Sequence, residues 1–577
     1  MLSLRRGVIK VLRLWRKIIM VSTPFILLPL LFVSDSVKFR CAYVVAVIAV
    51  YWIVEPIPIG ATSLIPVVLL PMLGVLSTEK TCLLYMNEMI VTFLGTLIMA
   101  IAIEESCLHQ RIALGALCLL GTGVKMLVFG LMAISMFLSM WINNIAITAM
   151  MMPVVDSLSQ ELLSSHKDDH AEERDTELDS LTVTPEHLEK GNGCGNDLVY
   201  LNGYAAEKTA PGPVKRTARA DQKSPSDDLK KRIRVLLYLS VTYGANTGAI
   251  TTITSAGSNI CFQFVINDEY EGRAPVDYAT WLFFALPITL VGTVLIFLLV
   301  VPVFFRCRRP EIDEDGGVSA MNVIRRNYAA LGPIRFHEGA VLLLFTLLVF
   351  LWLFRDPMFA RGWATFFSIT KPTDATAVMI AVVLLFIIPA EPKNLTSSPG
   401  LVTWKAVQAK LQWSVILLIG SGFAIAEAMR VSGLSHLIGQ HLGSLAHLSP
   451  GLLMAALSIF CSFMTELISN AGTVTVLLPV FAAMAEELKI NPLLFMIPAT
   501  ITSNFAFLLP VGTPANAIVY EHARLKLSDM VLPGFLAKVI TVMTTVAVTY
   551  VLGDPVFGMF QYPDWIYDSL VANGTHV

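Results

Sequence analysis

Long apolar runs separated by short polar segments make up most of the chain. A helix needs about 17–25 apolar residues to cross a bilayer, and the runs have about this length. The predicted transmembrane helices, about eleven by this criterion, lie at residues 18–34, 41–55, 58–76, 89–107, 233–265, 281–305, 338–354, 376–390, 411–428, 493–523 and 533–552. Two further apolar stretches, 111–158 and 451–486, have polar residues midway and a proline near the end, which predicts re-entrant hairpins. The pattern therefore predicts an all-α polytopic membrane protein.

One long segment, 160–232, breaks this pattern because it is polar, charged and poor in aromatic residues. Such a composition cannot bury enough apolar surface to fold alone. We expect a mostly disordered cytoplasmic loop. A solvated linker is favoured over a regulatory or partner-binding role.

Basic residues indicate the orientation in the membrane. Six of them precede or open the first span, namely Arg5, Arg6, Lys10, Arg13, Arg16 and Lys17. Because Lys and Arg concentrate in cytoplasmic segments, the N-terminus is predicted to be cytoplasmic. Counting crossings then places the arginine-rich segment 306–337 in the cytoplasm and the C-terminus outside the cell. The sequon that begins at Asn573 is a candidate glycosylation site in that extracellular tail, with a chance match as the alternative.

The composition supports a membrane protein. Of the 577 residues, 55% are hydrophobic and 15% are charged, whereas a soluble domain has about 25% charged residues. The formal net charge of -2 gives no indication of a nucleic-acid partner. The cysteines are scattered singly, and the sequence shows no CxxC, no His/Cys cluster and no nucleophile–base pair. We therefore expect neither an enzyme nor a bound cofactor.

The two predicted hairpins have similar sequences. The stretch "MWINNIAITAMMMPV", which starts at residue 140, aligns without gaps with "ELISNAGTVTVLLPV", which starts at residue 466. Asn144 then lies opposite Asn470, and Asn143 lies opposite Ser469. The chain is therefore predicted to contain an internal repeat.

A second pair of segments supports the repeat. "TSAGSNICF" in the span 233–265 matches "VGTPANAIV" in the span 493–523, with Asn259 opposite Asn516. Gly, Pro and Asn residues in the middle of both spans predict broken helices. By the predicted crossings, the first hairpin enters from the cytoplasm and the second from outside, so the repeats are inverted, as in many secondary transporters.

The repeat and the loop divide the chain into segments. The predicted organisation is 1–40 for the cytoplasmic N-terminus and first span, 41–159 and 233–305 for the two parts of the first repeat, 160–232 for the loop, 306–337 for a cytoplasmic connection, 338–552 for the second repeat, and 553–577 for the extracellular tail.

Interrupted helices in a membrane can form a binding site. Helix N-termini there attract an anion, and free carbonyl and amide oxygens can hold a cation. For any single Ser-Asn or Asn-Asn pair, an interhelical hydrogen bond is the favoured explanation. Four interruptions at matched places favour a binding site for both an anion and a cation.

The chain resembles the divalent anion/sodium symporter family, which includes the animal sodium-coupled dicarboxylate, citrate and sulfate carriers. The resemblance rests on "FRCAYVVAVIAVYWIVEPIPIGATSLIPVVLLPMLGV", "LHQRIAL", "LGPIRFHE", "ILLIGSGFAIAEAMRVSGLS", "TELISNAGTVTVLLPVFAAM" and "FAFLLPVGTPANAIVY". It implies a homodimer in the plasma membrane, with a scaffold domain and a transport domain that moves like an elevator in each protomer. It also implies a small divalent anion as substrate and sodium as the coupling ion.

The resemblance also implies site residues. The substrate is expected to contact Asn144, Ile145, Ala256, Ser469, Asn470, Ala471, Thr513 and Pro514. The expected sodium ligands are Ser139, Asn143, Asn144, Ser255, Asn259, Thr465, Ile468, Asn470, Gly512 and Asn516.

The first half departs from the family pattern. The family's Ser-Asn-Thr is here Asn143-Asn144-Ile145, and its Gly-Thr or Gly-Ser is here Ser255-Ala256. The lost hydroxyls are expected either to weaken substrate or sodium affinity or to alter selectivity. Three functions therefore stay open: a sodium-coupled carrier of di- or tricarboxylates, a sulfate carrier or sodium-independent exchanger, and a non-transporting member that acts as a sensor.

Two carboxylates are predicted to lie near the membrane interior. Glu466 directly precedes the second hairpin tip, and Glu55 precedes the "PIPIG" motif. A carboxylate at that depth is a functional candidate. For Glu55, an interfacial or capping role is an equal alternative.

Overall fold

The structure is a computed structural model that describes residues 2–118, 123–164, 225–305, 314–355, 361–367, 372–394, 398–442 and 447–566. Within these ranges all longer elements are helices, joined by two short 3-10 turns and one isolated bridge between Pro389 and Gly400. The predicted all-α class is therefore confirmed. Residues 165–224 of the predicted loop 160–232 lie outside the described residues, and so does Asn573.

The described residues of the first half form thirteen helices. They are α1 (Leu2–Leu27), α2 (Leu30–Val33), α3 (Val37–Val54), α4 (Ile59–Thr62), α5 (Ile65–Met72), α6 (Thr78–Leu84), α7 (Glu88–Glu105), α8 (Leu108–Cys118), α9 (Val124–Ser139), α10 (Asn144–Ser164), α11 (Pro225–Gly248), α12 (Gly257–Glu269) and α13 (Tyr278–Phe305).

The second half continues with α14 (Glu314–Ala330), α15 (Phe336–Leu353), α16 (Asp374–Ile387), α17 (Trp404–Lys410), α18 (Trp413–Ser432), α19 (Leu434–Leu442), α20 (Pro450–Met464), α21 (Asn470–Glu487), α22 (Leu493–Ser503), α23 (Pro514–His522) and α24 (Leu527–Phe557).

By length and composition, seven helical segments among the described residues can cross a membrane on their own. They are Trp15–Val33, Val37–Val54, Thr78–Glu105, Tyr278–Phe304, Phe336–Leu353, Trp413–Ser432 and Leu527–Phe557. The predicted spans 376–390 and 493–523 consist of shorter helices, and the span 233–265 is divided between α11 and α12. The predicted number of crossings stays a prediction. In the span 58–76 the helix is interrupted between α4 and α5, and Pro66 lies in the first turn of α5. Proline lacks the amide hydrogen that a continuous helix requires.

Both predicted hairpins contain a turn between two helices. In the first, α9 ends at Ser139 and α10 begins at Asn144; in the second, α20 ends at Met464 and α21 begins at Asn470. The first hairpin was expected to begin at residue 111, but the structure has a separate helix there, α8. Helices α10 and α11 also extend into both ends of the predicted loop 160–232.

Helix α8 is fixed by a buried arginine. Arg111 forms an ion pair with Glu338 (Nε–Oε2 2.6 Å) and donates to the carbonyl oxygens of Gly332 (2.9 Å) and Leu331 (3.2 Å). These contacts attach α8 to the turn that joins α14 and α15. The sequence interpretation missed this arrangement because α8 continues the apolar run of the hairpin.

The first hairpin packs closely against the first broken helix. A Cβ atom at Gly244 or Gly248 of α11 would overlap the carbonyl oxygens of Met132 and Met136 of α9. Two small residues four apart let the backbones of membrane helices approach closely. Helix α11 therefore holds the arm that leads to the first hairpin tip.

Candidate functional site

The first hairpin tip is joined to α11 by two side chains. The hydroxyl of Ser139 donates to the carbonyl oxygen of Ala245 (2.7 Å), and Nδ2 of Asn144 donates to Oδ1 of Asn246 (2.9 Å). Asn144 is buried. Two residues of the predicted site are thus placed against the end of α11, although Asn246 was not among the predicted residues.

Asn143, the departure from the family pattern, caps a helix. Its Oδ1 accepts a hydrogen bond from the backbone amide of Ile145 (2.9 Å). The aligned residue of the second half, Ser469, likewise accepts from the amide of Gly472 (3.2 Å). Asparagine and serine are both favoured N-cap residues. The substitution at the first tip therefore preserves the cap of α10.

The second hairpin tip contains a cluster of oxygen atoms. The hydroxyl oxygen of Thr465 lies 2.7 Å from Oδ1 of Asn470 and 2.6 Å from the carbonyl oxygen of Ser503. A hydroxyl has one proton, so it can donate to only one of these two acceptors. The remaining oxygen–oxygen contact favours an additional positive charge at this place.

The first broken helix contains a comparable cluster. The hydroxyl oxygen of Ser255 lies 2.6 Å from the carbonyl oxygen of Ala249 and 2.8 Å from that of Thr252. Nδ2 of Asn259 donates to the same two carbonyl oxygens, at 3.0 Å and 2.8 Å. Ser255 and Asn259, both predicted sodium ligands, therefore bind the same two carbonyl oxygens of the loop between α11 and α12.

The second broken helix repeats this loop. Nδ2 of Asn516 donates to the carbonyl oxygens of Ala506 (2.9 Å) and Leu509 (3.1 Å). These carbonyls precede Asn516 by ten and seven residues, the spacings found for Asn259. The sequence repeat is thus also a repeat of hydrogen bonds.

Two buried asparagines connect the halves, and the sequence interpretation missed both. Nδ2 of Asn246 donates to Oδ1 of Asn516 (3.3 Å). Nδ2 of Asn504 donates to Oδ1 of Asn259 (3.2 Å), and Nδ2 of Asn470 lies 3.5 Å from Oδ1 of Asn504. A polar residue close before each predicted break is the only signal that could have indicated them.

The loop 504–513 between α22 and α23, here called the second break loop, is anchored by a buried ion pair. Glu466 accepts hydrogen bonds from the backbone amides of Phe507 (2.9 Å), Leu508 (3.1 Å) and Leu509 (3.0 Å). Nζ of Lys538 lies 2.9 Å from Oε1 of Glu466, and the two side chains are 2% and 4% exposed. Glu466 thus binds the amides of the loop to whose carbonyl oxygens Asn516 donates.

Glu55, the other predicted carboxylate, ends α3 as its C-cap in a left-handed conformation (φ 48).

The remaining predicted residues lie at helix starts. Ile145 and Ala471 are the second residues of α10 and α21, Ala256 is the N-cap of α12, and Thr513 and Pro514 open α23. Ile468 belongs to the second tip.

Gly512 is packed against Glu466. A Cβ atom at Gly512 would lie 2.9 Å from Oε2 of Glu466. The predicted role of Gly512 as a sodium ligand remains a prediction, but this contact gives a separate reason for glycine here.

Four helix N-termini lie in this region. Helices α10 and α23 pack against each other, and so do α12 and α21. The N-terminus of a helix has a partial positive charge of about half an elementary charge. Among the described residues, no group of three or more His, Cys, Asp or Glu side chains could hold a metal ion. The candidate site therefore consists of hydroxyls, amides, carbonyls and helix ends.

Known proteins match almost the whole chain. The family model described as "Sodium:sulfate symporter transmembrane region" matches residues 11–559. The Na(+)/citrate cotransporter of Mus musculus is 34% identical, and the alignment covers 97% of this chain and 97% of that protein. The Na(+)/dicarboxylate cotransporter 3 of Homo sapiens is 33% identical, with 95% and 94% covered.

Solved structures are also similar to the chain. The YdaH transporter of Alcanivorax borkumensis aligns with a TM-score of 0.49 and 12% identity over 84% of this chain and 89% of that one. The helical spans and the full-length relatives identify a multi-pass membrane protein. The chain belongs to the divalent anion/sodium symporter family, which confirms the family expected from its motifs.

Proposed function

We propose that the protein is a secondary active transporter that couples the symport of a di- or tricarboxylate, succinate- or citrate-like, to sodium. The observation that carries the proposal is the oxygen cluster at Thr465, where a hydroxyl with one proton lies within hydrogen-bond distance of two acceptor oxygens. A sodium ion would satisfy all three oxygens at once, because hard cations prefer hydroxyl and carbonyl oxygens. The relatives that match most of the chain are sodium cotransporters of citrate and dicarboxylates.

The helix ends supply the charge that a carboxylate substrate requires. Four N-termini together contribute a partial charge of about two elementary charges, which matches a divalent anion. Asn470, Thr513 and Pro514 are proposed to receive one carboxylate, and Asn144, Ile145 and Ala256 the opposite end. Ser469 and Ala471 complete the second tip.

Sodium binding is proposed at both halves. In the first half the ligands are Ser139, Asn143, Asn144, Ser255 and Asn259, and in the second they are Thr465, Ile468, Asn470, Gly512 and Asn516. A cation at either place would hold a hairpin tip against a break loop. This would order the helix N-termini before the anion binds.

The other features of the proposal follow the family resemblance. The protomers form a homodimer in the plasma membrane, with the N-terminus in the cytoplasm and the C-terminus outside. The transport domain, which contains both hairpins and both broken helices, moves across the membrane relative to the scaffold. Asn573 in the tail is a proposed glycosylation site.

Uptake measurements test the proposal directly. Cells that express the protein are given labelled succinate, citrate or sulfate, with sodium or with choline in its place. We expect sodium-dependent uptake of a carboxylate. Sodium-dependent uptake of none of the three would overturn the proposal and favour the sensor, whereas equal uptake in choline would favour a sodium-independent exchanger.

A matched pair of variants tests the oxygen cluster. Thr465→Val removes the hydroxyl without a change in volume, and we expect sodium-dependent uptake to fall at least about tenfold, the equivalent of about 1.4 kcal/mol. Thr549→Val is the control, because this buried hydroxyl donates to the carbonyl oxygen of Thr545 within its own helix (2.8 Å). Equal uptake by the two variants would contradict a sodium site at Thr465.

A sulfate carrier is the second candidate, because the matching family model is described by sodium and sulfate. Its substrate carries the same charge but is shorter than succinate. Competition by excess unlabelled sulfate separates the two. If the protein is a carboxylate symporter, uptake of labelled carboxylate should remain intact. If it is a sulfate carrier, uptake of the labelled substrate should be abolished.

A further inference from the structure

Asn504 lies between the two oxygen clusters. It directly follows Ser503, whose carbonyl belongs to the cluster at Thr465. Its Nδ2 donates to Oδ1 of Asn259. Asn259 in turn donates to the carbonyl oxygens of the cluster at Ser255. Asn504 is 1% exposed. One side chain therefore touches both clusters.

The hydrogen bonds of Asn504 are fully used. Its Oδ1 accepts from the hydroxyl of Ser258 (2.7 Å), and Nδ2 of Asn470 lies 3.5 Å from the same oxygen. Its Nδ2 donates to Oδ1 of Asn259 (3.2 Å) and to the carbonyl oxygen of Thr500 (3.0 Å). An amide has two donor hydrogens and one acceptor oxygen. A shift of the second tip therefore changes a bond to the first break.

Asn246 makes the reciprocal connection. Its Oδ1 accepts from Asn144 at the first tip (2.9 Å), and its Nδ2 donates to the carbonyl oxygen of Ala506 (3.0 Å) and to Oδ1 of Asn516 (3.3 Å) in the second break. Each of the two asparagines thus links the hairpin tip of its own half to the broken helix of the other.

We propose that Asn504 and Asn246 are positioning residues that couple the two half-sites, so that sodium bound at one half raises the affinity for sodium at the other. The proposal rests on sodium binding at both halves, as argued above. Hydrogen bonds between buried amides are stronger than in water and polarise one another. Because coupling between two sites is reciprocal, either half can be loaded first.

A purely structural role is the alternative, and the shape of a sodium titration separates the two. A residue that only packs changes the melting temperature, but it leaves the steepness of sodium binding unchanged. A coupling residue changes the steepness. The readout is the sodium-dependent thermal stabilisation of the purified protein, fitted for a Hill coefficient, with choline added to keep ionic strength constant.

The variants are Asn504→Ser and Asn246→Ser, which keep a hydroxyl that is too short to reach the other half. The matched control is Asn491→Ser, since this buried amide binds Gly558 (3.0 Å) and the amide of Leu493 (3.0 Å), away from both clusters. We expect a Hill coefficient clearly above 1 in the native protein and in the control, and about 1 in both variants.

A further variant keeps the test decisive if both serine variants fail to fold. Thr465→Val leaves Asn504 and Asn246 in place but removes one cluster, so the remaining cluster should bind sodium with a midpoint at least about fivefold higher. An unchanged midpoint would overturn the coupling.

The outcomes distinguish this proposal from the proposed function. The coupling is overturned if both serine variants have the same Hill coefficient as the native protein, or if the native protein has a coefficient of 1. In either case sodium-dependent uptake can still be observed. The absence of both sodium stabilisation and sodium-dependent uptake overturns sodium symport itself, and the coupling with it.

Discussion

The buried ion pair between Glu466 and Lys538 gives a sharp test of how the second half-site is held. Replacing Lys538 by methionine keeps the apolar stem and removes the charge. Breaking a buried pair by removal of one partner costs about 3–5 kcal/mol. Here the three backbone amides that donate to Glu466 still stabilise the carboxylate, so we expect the lower end of this range.

The complementary variant should be more destabilising. In Glu466→Gln, Lys538 loses its carboxylate partner and keeps neutral ones, which include the carbonyl and hydroxyl oxygens of Ser462 and the ring of Phe463. One glutamine oxygen cannot accept at both positions, and its amino group would face an amide hydrogen of the break loop. We expect the upper end of about 3–5 kcal/mol.

Thermal unfolding of the purified protein in detergent measures both effects. The double variant, Lys538→Met with Glu466→Gln, completes a double-mutant cycle. Because neither charge remains, the double variant should be less destabilised than the sum of the single variants. The control is Lys231→Met, whose partner Asp529 lies at 3.5 Å and whose side chain is 47% exposed, so a change of about 0–1 kcal/mol is expected. Additive effects, or a Lys538→Met effect no larger than the control, would refute the reasoning.

Three further variants test other contacts. Asn143→Ala should cost about 1 kcal/mol by loss of the α10 cap, whereas Asn143→Ser should be nearly neutral in thermal unfolding; equal losses would contradict the capping role. Gly244→Ala should lower expression and melting temperature because its Cβ would overlap a carbonyl of α9, while Gly339→Ala, with open space around it, should not. Arg111→Lys should lower the melting temperature, since lysine cannot reproduce the forked contact with Glu338; an unchanged value would show that the fork is dispensable.

The interruptions of the helices could be predicted because polar residues in apolar runs are costly and therefore informative. Asn144 and Asn470 each begin a helix in the structure, as the aligned hairpins indicated. Asn259 and Asn516 make hydrogen bonds at identical spacings. The repeat therefore indicated the helix interruptions and the hydrogen bonds that lie within one half of the candidate site.

The contacts between the halves could not be predicted in this way. Asn246 precedes Asn259 by 13 residues, whereas Asn504 precedes Asn516 by 12, so an alignment without gaps does not pair them. A single asparagine in an apolar helix also has an ordinary explanation as an interhelical hydrogen bond. Only the three-dimensional arrangement shows that both reach the opposite half.

The partner of Glu466 was equally hidden, for a different reason. Lys538 lies 72 residues further along the chain in the apolar helix α24, and sequence order gives no indication of which buried cation pairs with which carboxylate. The helix α8 was missed because its apolar residues continue those of the hairpin.

The two halves attach their tips to their break loops by different chemistry. In the second half the attachment is ionic, through Glu466. The position aligned with Glu466 in the first half is Met140, whose carbonyl oxygen accepts from the hydroxyl of Thr252 (2.7 Å), and Trp281 donates to the carbonyl of Ile250 (3.0 Å). Neutral hydrogen bonds contribute about half as much as charge-assisted ones.

This difference gives the halves different roles in the proposed transport. The first half, held by weaker bonds, can adapt to substrates of different length, and it is also the half that departs from the family pattern at Asn143 and Ile145. The second half is held by the charge-assisted contacts of Glu466. We therefore expect Ile145→Thr to change the preference among succinate, citrate and sulfate, and Asn470→Ala to reduce uptake of all three in parallel. If Ile145→Thr scaled all three uptakes equally, the first half would not set selectivity.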